Sequence, residues 1–319
     1  MKATTKKNLS FILLFIVTII WGSAFSFQGM ASEYISSYTF NFLRFTIASI
    51  VLIPIALYGY YHDKKRGIRL NWKKLIIGSV LSGALVCACS ILQQFGIQIS
   101  TVGKAGFITS QYILIIPILC LFLKRKYSIN VYLSCVISLV GVYFLCAKGS
   151  FNFELGDIYF FLTAFGFAIQ ILIIEYFANN VNPLCLSLGQ VLVAALISVG
   201  PCFIVDQPSF ESIKLALPSV LYVAVLSTGV GYTGQIVAQK NINPTIASLI
   251  MSLESVFSVL FGALLLQQYL TTNEIIGCSI IFFSLIFSQL PPSWFTLKKK
   301  KKQIEEAKKE EENIIINEP

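Results

Sequence analysis

Residues 246–266 read IASLIMSLESVFSVLFGALLL, a run apolar almost throughout that carries the carboxylate of Glu254 near its middle. About 20 apolar residues cross the roughly 30 Å of hydrocarbon in a bilayer, so the run has the length of a membrane span. The rest of the chain has the same character. Of its 319 residues, 56% are hydrophobic and 12% charged, against about 25% charged in an ordinary soluble domain; mean hydropathy is +0.76. Ten apolar runs recur between short polar breaks, at 9–29, 36–59, 75–97, 102–123, 129–147, 155–177, 183–205, 214–238, 244–266 and 272–290. The expected fold is an all-α polytopic membrane protein of ten transmembrane helices, with nothing left over for a soluble domain. The run after MKATTKK is longer than the apolar stretch of a signal peptide. No small-x-small cleavage site closes it before Glu33, so it is read as the first span.

Short loops rich in Lys and Arg stay on the cytoplasmic side of a membrane. Placing the N-terminus there puts 20 of the 24 Lys and Arg residues on that side; Lys104, Lys148 and Lys214 fall outside, and Arg44 lies within a span. Both termini are then cytoplasmic, which requires an even number of spans. The location expected is the cell (inner) membrane. The net charge of +9 has the same origin and gives no reason to expect nucleic acid as a partner. The charged tail at 291–319, with KKKKKQIEEAKKEEE from residue 298, is read as a solvated end whose first lysines can meet anionic lipid.

Several function classes lose support at this stage. The eight cysteines, Cys87, Cys89, Cys120, Cys135, Cys146, Cys185, Cys202 and Cys278, lie in or at the ends of spans without a C-x-x-C pair and read as small apolar fillers. The sole histidine, His62, falls in a loop, which argues against a histidine-bearing metal site or a serine hydrolase inside the membrane. GSVLSGAL at 78–85 has the glycine spacing of a phosphate loop without its Lys and Ser/Thr. No cofactor is expected.

The chain repeats weakly. SINVYLSCVISLVGV at 128–142 falls on TTNEIIGCSIIFFSL at 271–285 with an offset of 143. WGSAF at 21–25 meets FGFAI at 165–169 with an offset of 144, and QFGIQ at 94–98 meets QIVAQ at 235–239 with an offset of 141. A repeat of five spans is odd in number, so its second copy enters from the opposite side of the membrane. Such inverted pairs build a site at the midplane and expose it alternately to each side. The two halves are placed at 8–147 and 155–290.

WGSAF in span 1, Arg44–Phe45 in span 2, GKAGFITSQYILIIPIL in span 4, and NPTIASLIMSLESVFSVLFGALLL with IIGCSIIFFSLI in spans 9 and 10 resemble the two EamA repeats of a ten-span drug/metabolite transporter. The resemblance covers nearly the whole chain. It implies a ten-helix bundle with a cavity lined mainly by spans 1, 3, 4, 6, 8 and 9, and members that move amino acids, related metabolites or toxic organic compounds. Two positions depart from the family pattern. Ser255 stands where Pro often follows the span 9 acid, and Gln267–Gln268 replace a terminal Gly-Glu, so the role of that terminal acid is not carried over.

Charged and at mid-bilayer, Glu254 costs roughly 2.5–3.5 kcal/mol and must face protein or water. Two readings stay open: a structural ion pair, for which Arg44 falls at similar depth, or contact with substrate or a coupling proton. Gln94 and Gln235 are favoured as ligand-binding amides over Gln98 and Gln239, which lie at span ends. Trp21 and Tyr112 offer flat faces to an organic solute, although packing within the bundle explains them equally. Gly229, Gly231 and Gly234 crowd span 8 and Pro117 interrupts span 4, so these are candidate hinges or close-packing sites. Gln170 is a further candidate for the lining.

The function expected is a secondary carrier, working as an exporter, of a small organic solute such as an amino acid or related metabolite, acting by alternating access and not an enzyme. Expected partners are that solute, membrane lipid, protons as a coupling ion and, as a homodimer, a second copy of the chain. An integral-membrane enzyme acting on a lipid-linked substrate is the alternative. It would want a cluster of acids or histidines at one interface, where the sequence offers only Glu154 with Asp157 and Asp63 with His62. A non-transporting scaffold or receptor is the third possibility, and the sparse loops leave it little binding surface.

Overall fold

The computed structural model of the protein describes residues 3–124, 129–146, 154–242, 247 and 250–290. The expected tail at 291–319, Arg125, Lys126, Lys148 and most of 243–249 lie outside them, as does the side chain of Cys146. The described residues form twelve α-helices: α1 (Ala3–Ser32), α2 (Ser37–Lys65), α3 (Trp72–Ile99), α4 (Val102–Thr109), α5 (Tyr112–Phe122), α6 (Ile129–Cys146), α7 (Leu155–Ala178), α8 (Pro183–Pro201), α9 (Phe210–Tyr222), α10 (Tyr232–Gln239), α11 (Glu254–Leu266) and α12 (Thr272–Gln289). Two π-helical stretches join them, Cys202–Asp206 after α8 and Val223–Gly231 between α9 and α10. Among the described residues seven helical segments are long and apolar enough to cross a membrane, three of them built from adjoining elements: Val102–Phe122, Pro183–Asp206 and Phe210–Gln239. Ile129–Phe144, Ile250–Leu266 and Thr272–Ser284 are shorter apolar helices.

In lipid every backbone polar group must be satisfied internally, so each helix needs a defined start. Short polar side chains supply it. Ser36, Asn71, Thr101, Asn182 and Ser209 each accept a hydrogen bond from a first-turn amide. Glu154 with Asp157 and Thr271 with Glu274 form reciprocal capping boxes. Gln267 ends α11 in the left-handed region at φ 53°, and the Gln268 Oε1 accepts from the Val102 amide at 3.1 Å, sealing the start of α4. The departure at Gln267–Gln268 noted in the sequence thus has a structural role as a neutral cap.

The principal helix contacts have a twofold pattern. α6 packs on α12, α2 on α8, and α4 on α11. The contact of α3 with α7 is matched by that of α1 with the α9–α10 segment, and α1 with α11 by α7 with α4 and α5. Close approach depends on small residues. A Cβ on Gly22 would strike Phe257 and come within 2.9 Å of the Glu254 carbonyl, and one on Gly106 would strike Ser258.

The break in the fourth apolar run does not fall at Pro117, which is buried inside α5. It falls at Ser110–Gln111. There the Ser110 hydroxyl donates to the Gly106 carbonyl and the Gln111 amide donates to the Phe107 carbonyl, competing with the helical ladder. The turn before α11 is built alike. Leu253 donates to the Ile250 carbonyl over three residues, and Ser255 Oγ donates to the Ser252 carbonyl.

Lys104, expected at the outer end of a span, is 1% exposed within α4. Its Nζ lies 3.6 Å from the buried Asp157 Oδ1 and 3.7 Å from Glu154 Oε2. The other Asp157 oxygen accepts from the Glu154 amide in the capping box. Removing one partner of a buried pair leaves an uncompensated charge, which costs about 3–5 kcal/mol. Lys104→Met should therefore lower the unfolding free energy of detergent-purified protein by about that amount, and adding Asp157→Asn should restore part of it. A single variant as stable as the parent would contradict the pairing.

Candidate functional site

At the centre of the bundle lies a cavity of about 50 Å³, room for a few ordered waters. α1 contributes Trp21, Phe25 and Gln28, spaced so that one helical face points inward. α3 adds Gln93, whose Nε2 lies 3.5 Å from the Thr109 hydroxyl at the end of α4. The far wall is built from Gln170 and Phe167 of α7 and from Tyr232 and Gln235 of α10.

Two groups of opposite formal charge meet this space. Arg44 of α2, 3% exposed, donates from Nε to the Thr228 hydroxyl at 3.0 Å and approaches Gln28 Oε1 at 3.5 Å. Its guanidinium lies 5.1 Å from the Phe45 ring centre and 5.7 Å from that of Phe40, within cation–π range. Tyr232 is its other polar neighbour. Glu254 enters from the opposite wall as the first residue of α11, where the helix dipole favours a carboxylate. The hydroxyls of Ser110 and Tyr112 are the groups beside that carboxylate; the Tyr112 hydroxyl is buried and completes no full hydrogen bond. Among the described residues Arg44 and Glu254 form no ion pair with each other, so each faces the cavity on neutral supports.

The π-helical stretch shapes one wall. Its wide turn leaves the Ser227 carbonyl available, and the Trp21 indole N–H donates to it at 3.0 Å. The indole then packs edge-on to Tyr232, ring centres 5.5 Å apart, and lies directly over Gly231, where any side chain would collide with it. Gly234 meets Val17 and Leu13 of α1, whereas a Cβ on Gly229 would make only an ordinary contact with the Ala224 carbonyl.

Of the residues singled out from the sequence, Trp21, Arg44, Tyr112, Gln170, Gln235 and Glu254 line this one cavity. Gln94 does not. It is buried, and its Nε2 donates to the Gln28 carbonyl at 3.0 Å while its neighbour Gln93 faces inward. Gln28, Gln93 and Tyr232 escape a reading of the sequence alone. Gln28 was detectable as the seventh residue beyond Trp21 on the same helical face. Among the described residues no group of three or more His, Cys, Asp or Glu could hold a metal ion.

The assembly is that of a multi-pass helical membrane protein with a cavity of mixed polar and aromatic lining between its helices. Residues 8–147 and 154–290 match the EamA-like transporter family, and the chain belongs to that family. It is 30% identical over 283 residues to an uncharacterized transporter of Archaeoglobus fulgidus, covering 87% of this chain and 84% of that protein. It is 23% identical over 272 residues to the uncharacterized transporter YoaV of Bacillus subtilis, covering 83% of this chain and 91% of that one. A solved crystal structure of a protein shares the fold with a TM-score of 0.64 and 17% identity, over 88% of this chain and 96% of that one.

Gly231→Val should displace the Trp21 indole, break its bond to Ser227 and destabilise the protein by about 1–3 kcal/mol through overpacking. In a background with Trp72 and Trp294 changed to Phe, the emission of Trp21 should shift on this substitution. Unchanged emission would show that the indole does not lie against Gly231.

Proposed function

We propose that the protein is a secondary transporter, working as an exporter, for a small zwitterionic solute such as an amino acid or a related metabolite. The observation that carries this reading is the pairing of Arg44 and Glu254 across one cavity without direct neutralisation. A solute with a carboxylate and an ammonium group a few bonds apart satisfies both charges at once. Arg44 takes the carboxylate through the planar donor edge that suits such groups, Glu254 takes the ammonium group, and Trp21, Tyr112 and Tyr232 enclose the remainder. Glu254 is the one carboxylate among the described lining residues, so it is also the group that exchanges a coupling proton for the solute.

The central cavity of about 50 Å³ is the space in which a small solute would be held. We infer ten spans in two inverted halves, with both termini in the cytoplasm of an inner or plasma membrane. The offset near 143, the twofold contact pattern and the side bias of Lys and Arg support this reading. Rocking of one half against the other then opens the site to each side in turn.

Uptake of labelled solutes into proteoliposomes tests the proposal. Wild-type protein should accumulate an amino acid chemically unchanged, and an imposed pH gradient should drive it. Glu254→Gln should abolish the response to the gradient, and Arg44→Gln should weaken apparent affinity by about 30-fold or more, as expected when a buried charge loses its partner. A product with altered bonds would point to an enzyme. Unaltered pH response in Glu254→Gln would assign the acid a structural role.

A further inference from the structure

Away from the central cavity, two recesses adjoin on the side of the bundle where α2, α3 and α8 meet. One is an apolar groove of about 560 Å³, walled by Leu57 and Tyr61 of α2, Ile76 of α3 and Leu192 of α8. The other, of about 260 Å³, opens beside the α2–α3 loop and is lined by Arg66, Arg69 and Lys240 with the side-chain amides of Asn71 and Asn179. Tyr60 and Leu70 belong to both. A strongly apolar trough therefore runs directly into a basic, polar one.

The charge balance of the polar recess is lopsided. Arg66, Arg69 and Lys240 are exposed and form no ion pair among the described residues. Asp63 is the one carboxylate among the described residues lining it, and it is already engaged: it accepts from Asn182 Nδ2 at 2.7 Å and lies 3.6 Å from His62 Nδ1.

We propose that the composite recess binds one anionic phospholipid. Its acyl chain lies in the groove and its phosphate rests on Arg66, Arg69 and Lys240. Both halves of the ligand are needed: a free phosphate leaves the groove unfilled, and a zwitterionic lipid brings no net charge to the three cations. Basic pockets between helices at a membrane face suit anionic headgroups for this reason. Because α2 and α3 come from the first family match and α8 from the second, the lipid would bridge the two matched segments. This site is independent of the solute reading above.

Full-length protein in detergent is mixed with phosphatidylglycerol, with phosphatidylcholine of the same acyl chains, or with inorganic phosphate. Retained lipid is counted by native mass spectrometry. Phosphatidylglycerol should be retained at least tenfold more strongly than phosphatidylcholine, and inorganic phosphate should not displace it. The triple change Arg66→Gln, Arg69→Gln, Lys240→Gln should reduce phosphatidylglycerol to the phosphatidylcholine level, and Leu192→Trp, which fills the groove, should lower retention of both. Equal retention of the two lipids by the wild type overturns the proposal, as does undiminished retention in either variant. Displacement by inorganic phosphate alone would reduce the site to an anion pocket and also overturn it. The substituted side chains face lipid or water, and the comparisons on unmodified protein decide the matter even where a variant fails to fold.

Discussion

A charge inside a bilayer has no bulk water to solvate it, and the buried Lys104, Arg44 and Glu254 are arranged around that fact. Lys104 is met by two carboxylates. Arg44 is instead surrounded by a hydroxyl, an amide oxygen, the phenol of Tyr232 and two aromatic faces. Glu254 has the dipole of its own helix and two hydroxyls. The difference separates a charge met by opposite charges from two that meet only neutral groups among the described residues.

The twofold arrangement is kept in the backbone and broken in the chemistry. At an offset of 143, Ser110–Gln111 corresponds to Leu253–Glu254, and both pairs sit at interruptions stitched by bonds over three residues. In the first half the position is an amide. Gln111 spends its nitrogen on the Phe107 carbonyl and its oxygen on Ser138 of α6. In the second half it is an acid that turns to the cavity. Matched breaks thus interrupt both runs, while a single carboxylate marks only one of them.

Much of this was legible in the sequence because the bilayer imposes strong rules. Apolar runs placed α3 through α8 closely, while α1 begins and α2 ends a turn or more beyond its run and α11 begins only at Glu254; Ser36, Asn71 and Thr271 start their helices by ordinary capping chemistry. Intramembrane charge pointed to Arg44 and Glu254, and buried aromatics to Trp21 and Tyr112. The rotation of a helix was not legible. Gln93 and Gln94 differ by about 100° around the axis, and only packing against α1 decides which one faces the cavity. Pro117 drew attention to the fourth run, yet side-chain hydrogen bonds at Ser110 and Gln111 set the actual break. The company of Lys104 was hidden because nothing local in its helix announces Asp157.

That separation has a bearing on how the chain is assembled. Lys104 and Asp157 are 53 positions apart, and chains emerge from the ribosome N-terminal end first. The lysine therefore reaches the membrane before the carboxylate that will neutralise it exists. Although the two family matches read as separate modules, the buried amine of the first is neutralised by the opening turn of the second.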